Sequence, residues 1–315
     1  MVKTLVVKRI LAGFLFLVLL CVGAVAGILF PAHQQIDALN PPFPSLKSIR
    51  ESARIEGLPV SIKMFNTASQ MVGTAGVLES VEKNEFFEMS FPTFLITWEN
   101  GKQFLIDAGM TESVALAFGK PSEIFGAGAI KFHGDLKDLI NPASIAGIGF
   151  THLHEDHVDG VRTLCPEAKN LVIVQGYEQF ENTNYGTSAQ EELLDSLECG
   201  KRLLIRDNFT LKSIAGFPGL YLIEVAGHTP GSQVFVVHIK IDGRNTTYIL
   251  AGDLANHFEG IESNISKTAF YSRYIVPENL EQLDRARIWL NQLDAEYNIK
   301  VLISHHKQSI DDRLD

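Results

Sequence analysis

Residues 151–160 read Thr-His-Leu-His-Glu-Asp-His-Val-Asp-Gly, so His152, His154, Asp156 and His157 fall within six consecutive positions. Imidazole and carboxylate are the groups that zinc and its first-row neighbours take as ligands. A solvated polar turn has no reason to concentrate them in this way. The apolar run before them, residues 145–150, reads as a buried strand. Continued in extended form, that strand sends His152 and His154 to the same side. A helical turn after it brings Asp156 and His157 to the same cavity from another direction.

Three later segments end in residues of the same chemistry. Residues 224–232, Glu-Val-Ala-Gly-His-Thr-Pro-Gly-Ser, run from an apolar strand into a tight turn that carries His228. Residues 248–253, Tyr-Ile-Leu-Ala-Gly-Asp, read as a strand that delivers Asp253 at its end. A carboxylate with two oxygens suits the span between two cations about 3.5–4 Å apart. Residues 301–306, Val-Leu-Ile-Ser-His-His, read as a strand ending in His305 and His306. Neighbouring strand positions point opposite ways, so one of the two faces any shared site.

His-x-His-x-Asp-His after a strand, then Gly-His-Thr-Pro-Gly, Gly-Asp and a late His, resembles the signature of the metallo-β-lactamase-fold hydrolases from about Pro59 to the end of the chain. The resemblance implies an α+β fold, the αββα sandwich, with metals at one edge where strand-end loops converge. It implies a first metal site of His152, His154 and His228. A second is made of Asp156, His157 and His305, with His306 the alternative, and Asp253 bridges the two. It further implies two Zn²⁺ per chain and a bridging water acid enough to become hydroxide near neutral pH. That hydroxide would attack a carbonyl, with Asp156 orienting it and passing its proton to the leaving group.

Within the superfamily, the diiron flavoproteins carry Glu where this chain has His154. Class B1 β-lactamases use Cys at the second metal, and class B3 enzymes lack the bridging Asp. The resemblance therefore favours the lactonase and glyoxalase-II-like branches and a small ester or lactone substrate, an acyl-homoserine lactone included. Phosphodiester or thioester hydrolysis is the alternative within hydrolases, and a mononuclear iron dioxygenase uses a similar motif. A metal-binding protein without turnover is a reading from a third class.

The elements that must position these residues are also legible. Residues 59–67 alternate as an opening strand. Residues 91–106 form a hairpin about the Asn100-Gly101 turn, closed by Asp107-Ala108-Gly109. Asp107 reads equally as an ordinary strand-end turn residue or as an outer partner that orients a ligating histidine. Residues 112–141 suggest a helix and a loop over the pocket, in which His133 faces solvent or substrate. Residues 171–175 read as a buried strand and residues 189–197 as a helix. Glu155 and Asp159 face solvent or stand behind the ligands. His238 is structural. His257, Phe258, Tyr271 and Tyr274 serve packing as readily as substrate contact.

The chain has 315 residues, 46% of them apolar, enough for one large domain or two small ones, and a formal charge of −10. That charge argues against a broad nucleic-acid footprint, although not against a nuclease with a local basic groove. Lys3, Lys8 and Arg9 precede residues 10–30, which carry no charge and suffice for a transmembrane helix. The basic flank assigns its own side to the cytoplasm and the remainder to export. Ala24-Val25-Ala26 resembles a signal-peptidase site, so a secreted product is the alternative to a signal anchor. Residues 1–30 thus form the flank and helix, 31–58 a proline-rich tether with a short helix in residues 45–57, and 59–315 the catalytic domain. Cys165 and Cys199 are expected as buried free thiols, with pairing in an oxidising compartment the alternative. Asn208, Asn245 and Asn264 lie in Asn-x-Ser/Thr sequences. The implied partners are a small-molecule substrate and a membrane.

Overall fold

The computed structural model describes residues 2–79, 81, 85–165, 167–207, 210–241 and 243–314, with side chains from residue 10 onward. Asn208 lies outside the described residues, as do the side chains of Lys3, Lys8 and Arg9.

Alternation along single strands sets the layers. One sheet holds β1 (Ser61–Gly73), β2 (Phe86–Thr97), β3 (Gln103–Ile106), β4 (Lys131–Phe132), β5 (Ile145–Gly149), β6 (Leu171–Gly176) and β7 (Gly200–Ile205), in the order β4-β1-β2-β3-β5-β6-β7. The other holds β8 (Lys212–Ser213), β9 (Leu220–Glu224), β10 (Gln233–Ile241), β11 (Arg244–Leu250) and β12 (Ile299–Leu302), in the order β12-β11-β10-β9-β8. In β10, Phe235, Val237 and Ile239 join the core shared with Phe94, Ile96, Phe104 and Ile106 of the first sheet. Val234 and Val236 face the other way, onto Leu283, Ala286 and Leu290 of the helix Leu280–Asp294. The outer face of the first sheet is covered by Val158, Val161, Leu164, Leu193 and Leu194. Helices therefore lie outside two facing sheets, and strands buried on both faces are apolar almost throughout. This is the αββα sandwich the motifs implied.

The hairpin forms as read, with Gly101 at φ 79° in its turn. β3, β5, β6 and β7 then run parallel. Their crossovers leave every C-terminal strand end on one edge, where ligand-holding loops of such sheets gather. The register of β1 and β2 shifts between Asn66 and Ser69, opposite Pro92 and Ser90. That irregularity frees Ser90 to meet the end of the second sheet, where its backbone N–H donates to His305 O and its Oγ to Ser304 O.

The N-terminal helix spans Val2–Asp37 and passes through Pro31 rather than stopping at residue 30. Its last turns are held from outside: Ala32 and Ile36 are buried against the two-sheet fold. The tether that follows is packed as well, with Phe43 stacked on Trp289 at 4.9 Å and Trp289 Nε1 donating to Pro44 O. The short helix read in residues 45–57 spans Leu46–Ser52, with Ser45 as its N-cap.

The expectation of free thiols is overturned, because Cys165 and Cys199 are joined in a disulfide. β6 and β7 lie side by side, and Leu171 N–H donates to Cys199 O just ahead of their pairing. This adjacency brings the two Cα atoms to 5.2 Å, inside the range a disulfide spans. The two cysteines are 34 residues apart in sequence, and only the strand pairing makes them neighbours.

Candidate metal centre

Four strand ends deliver the donors. β5 leads through Phe150 and Thr151 to His152 and His154, and a single helical turn, Glu155–Val158, presents Asp156 and His157. The turn between β9 and β10 carries His228, β11 leads to Asp253, and β12 to His305. Two of these ends depend on glycine. Gly252 sits at φ 55°, where a Cβ would stand 2.6 Å from Thr151 Oγ1. Gly227 sits at φ 136° beside His228 and gives its carbonyl to the N–H of Asn279.

The first cluster is a triangle of ring nitrogens. His152 Nε2 lies 3.0 Å from His154 Nδ1, and His228 Nε2 lies 3.2 Å from each of them. Nitrogens about 2.0–2.1 Å from a tetrahedral ion stand about 3.3 Å apart, so these edges suit one shared cation. His228 is fixed from behind, where its Nδ1 meets Glu278 Oε1 at 2.5 Å. Glu278 also accepts from Lys267 Nζ at 2.7 Å and from Ser272 Oγ at 2.6 Å.

The second cluster holds Asp156, His157, Asp253 and His305. His305 Nε2 lies 2.9 Å from Asp253 Oδ2 and 3.4 Å from Asp156 Oδ2. His157 Nε2 lies 3.4 Å from Asp253 Oδ1 and 3.5 Å from Asp156 Oδ2. Asp253 also reaches the first cluster, 3.6 Å from His228 Nε2 and 4.0 Å from His152 Nε2. His305 Nδ1 donates to Ser90 O at 2.8 Å. His157 Nδ1 meets Asp107 Oδ2 at 2.9 Å, and Asp107 also accepts from the N–H and Oγ1 of Thr151. Asp107 is fully buried at φ 62° and braces the loop through its bonds to Thr151.

Charge separates the clusters. Burial holds His152 well below the ordinary imidazole range, with His157, His228 and His154 adding to it. Burial and His228 lower His154 to about 3. Burial and Lys267 lower His228 against the pull of Glu278. In the second cluster burial acts the same way but is outweighed. Asp156, Asp107 and Asp253 hold His157 well above its ordinary value, and Asp253 holds His305 above its own. Asp253 lies well below the usual carboxylate range, because His305 and His157 overcome its burial. The first cluster is thus neutral, while the second keeps protons where its carboxylates call for positive charge.

Two buried atoms test whether cations fit. His157 Nε2 and Asp253 Oδ1 stand 3.4 Å apart and make no hydrogen bond, a costly state for buried polar atoms unless a further group lies between them. Both point into the second cluster, and the nitrogen and carboxylate donors of both sites are ligands that Zn²⁺ accepts. The residues fit a pair of metal ions.

The other candidates lie elsewhere. His306 is half-buried, and its Nδ1 accepts from Phe258 N–H instead of facing the cluster. His133 meets Ser69 Oγ at 2.9 Å, and His238 sits between Ser52 and Thr247. Asp159 is buried rather than solvent-facing, and it accepts from the N–H and Oγ1 of Thr111 ahead of the helix Glu112–Ile124. Sequence reasoning missed Glu278 and Lys267, which carry no motif and meet His228 only in the fold. It also left Tyr271 unassigned. Burial, with the carboxylates of Glu278, Asp253 and Asp156, holds that phenol well above its ordinary value.

The profile of the metallo-beta-lactamase superfamily matches residues 92–284. A search of the curated proteins finds no match. Among solved structures, the chain is similar to an N-acyl homoserine lactone hydrolase with N-hexanoyl-L-homoserine bound at its catalytic metal centre. The identity is 17% and the TM-score 0.59, over 81% of this chain and 96% of that one. A dizinc quorum-quenching lactonase in complex with its product gives 16% and 0.52, over 78% and 88%. A probable metal-dependent hydrolase from Staphylococcus aureus gives 16% and 0.53, over 80% and 91%. At such identities the likeness is one of fold. The profile, the two-sheet architecture and the paired donor clusters agree, and the chain belongs to the metallo-beta-lactamase superfamily.

Proposed function

We propose that this chain, a metal-dependent hydrolase by family and fold, cleaves a small ester or lactone at two zinc ions. His152, His154 and His228 would hold one ion. Asp156, His157 and His305 would hold the other, with Asp253 shared. The observation that carries this reading is the meeting of two donor clusters at Asp253, with His157 Nε2 and Asp253 Oδ1 facing each other at 3.4 Å and making no hydrogen bond. The orphaned atoms belong to the second cluster, which favours two ions over the single iron of a dioxygenase. When bound, such a pair supplies Lewis acidity and a water that ionises near neutral pH.

The chain's own residues supply the rest. Asp156 is buried, and His157 and His305 lower its carboxyl against that burial, so it is ionised at neutral pH and able to take a proton. It stands beside both second-cluster histidines, in position to pass that proton to a departing alkoxide. Asp107, Glu278 and the Ser90 carbonyl fix three rings so that Nε2 of each faces inward. The lactone or ester class is supported by the lactonases that share the fold. The uncharged helix, its basic flank and the disulfide support an anchored chain whose catalytic domain, residues 59–315, lies on the exported side.

The test is metal content by inductively coupled plasma mass spectrometry on the full chain in detergent, alongside lactone, ester, thioester and phosphodiester substrates. Two zinc per chain with lactone or ester turnover is expected. One iron and no second metal would overturn the reading and make thiol persulfides the substrates to assay.

A further inference from the structure

The uncharged stretch of the N-terminal helix ends at Phe30, yet the helix runs on to Asp37 with its last two turns against the catalytic fold. His33 Nε2 meets Arg273 O at 3.2 Å, and Gln35 Nε2 donates to Thr183 O at 3.1 Å. Asn279 Nδ2 donates to Asp37 Oδ1 at 2.7 Å. His33 is three residues past Phe30, about 4.5 Å along the axis. The carbonyls of Arg273 and Thr183 are therefore pinned beside the point where the apolar stretch stops.

Those carbonyls belong to the two segments that border the metal centre. Beside Arg273, Ser272 donates to Glu278, which holds His228. Beyond Thr183, Gly186 lies against His154, where a Cβ would stand 3.3 Å from Nε2. His154 is the only one of the seven donors that is not fully buried. The same two segments expose large apolar and aromatic side chains. Phe270 is 62% exposed, Tyr274 59%, Ile275 53% and Tyr185 48%. The Phe270 and Tyr274 rings are 5.7 Å apart, and Tyr185 Oη donates to Ile275 O.

We propose that Tyr185, Phe270, Tyr274 and Ile275 seat the catalytic fold on the bilayer its helix crosses, so that the metal centre opens at the lipid surface. Its substrate is then an amphipathic acyl ester or acyl lactone taken from the membrane. This rests on the readings of the chain as anchored and as a hydrolase. Continuity with the helix identifies the occupant of the patch. Side chains this close to the end of a membrane-spanning stretch meet headgroups and upper acyl carbons. Tyrosine and phenylalanine are favoured there, and the exposed Arg273 between them faces lipid phosphate. Each buried methylene adds about 0.8 kcal/mol to partitioning, so a longer acyl chain raises the substrate concentration at such a mouth.

The experiment places a tryptophan reporter at Phe270→Trp or Tyr274→Trp in the full chain, reconstituted in phosphatidylcholine–phosphatidylglycerol vesicles with or without bromines on the upper acyl carbons. Tyr297→Trp is the control, because Tyr297 is 98% exposed and precedes β12 at the end away from His305. Native Trp98 and Trp289 are buried and give the background. Rings seated about 5–10 Å into the boundary meet the bromines, so emission at 270 and 274 should fall about twofold while 297 is unchanged. If 270 and 274 behave like 297, or if a second copy shields them from bromolipid and from acrylamide alike, the proposal is overturned. Quenching without metal or turnover would break only the hydrolase reading. Two zinc and full turnover without quenching would break only this one.

Discussion

The two donor clusters reach ligand geometry by opposite means. His152, His154 and His228 form a neutral triangle, each ring deprived of its proton mainly by burial. Asp156, His157, Asp253 and His305 form a quartet in which the carboxylates win against burial and raise both histidines above their ordinary values. A cation entering the first meets three ready lone pairs. A cation entering the second competes with protons that its carboxylates favour, and it then meets two carboxylates that favour it too. Supporting residues differ likewise: His228 is held by a buried Glu278–Lys267 pair, His157 by Asp107 and the Thr151 loop. Two sites a few ångströms apart can thus differ in affinity and pH response while sharing Asp253.

The largest effect should come from the residue that belongs to both. Asp253→Ala removes the carboxylate lying 2.9 Å from His305 and 3.6 Å from His228. Metal content should fall from two ions to one or none, and turnover by about 10³-fold, since Lewis-acid stabilisation is worth several kcal/mol and each 1.36 kcal/mol is tenfold. Mass-spectrometric metal counting and lactone turnover on one preparation check this. Two retained ions would break the assignment of a shared ligand.

Paired changes behind the rings separate the clusters. Glu278→Gln should weaken the first ion about 10–100-fold and spare the second, and Asp107→Asn should do the reverse. Glu278→Gln carries a further cost, because it leaves Lys267 buried beside a neutral amide. Breaking a buried pair in this way costs about 3–5 kcal/mol. Competitive chelator titration reads the affinities, and denaturant unfolding reads the stability. Equal loss of both ions from either variant would merge the two clusters into one.

Acid should empty the second cluster first. His157 and His305 lie above their ordinary values and His154 at about 3, so protons compete for the second site at a higher pH than for the first. In the metal-free chain the signs separate again. The raised pair contributes stability that is complete below about pH 6.5 and lost as pH climbs through their folded values. The lowered trio loses stability as pH falls from about 6.5 towards theirs. Metal counts after equilibration at stepped pH test the order. First loss from the histidine triangle would contradict it.

Much of this was legible because strand-end motifs encode both the ligand and its carrier. The run from Ile145 to Gly149 ends where a loop must begin, and His152 and His154 follow at a spacing that brings them together. Gly252 and Gly227 mark backbone positions that other residues would strain. What stayed hidden depends on contacts between distant segments. Glu278 is 50 residues from His228, and nothing local marks it as the partner of a ligand. Cys165 and Cys199 pair because β7 lies beside β6, a fact of sheet order and not of spacing. The helix passing Pro31 is likewise set by what Ala32 and Ile36 bury against, which periodicity within the helix does not reveal.

The smallest effect is expected at His306, next to a residue of the quartet and outside it. Its Nδ1 accepts from Phe258 N–H at 3.3 Å, and its ring lies tilted by 32° against His257 at 4.1 Å and edge-on to Phe87 at 5.4 Å. Burial, with His257 and Arg313, lowers it to about 4, so the ring is neutral at working pH and its role is packing and one backbone hydrogen bond. His306→Ala should keep both ions and near-normal turnover. It should cost about 1 kcal/mol, the worth of such a bond, and lower the melting midpoint by about 2–4 °C. His305→Ala, by contrast, removes the ring that joins Asp253 to the Ser90 carbonyl and should lose the second ion outright. If the two variants exchanged behaviour, the second cluster would be built on the wrong histidine, and its charge contrast with the first would have to be redrawn around His306.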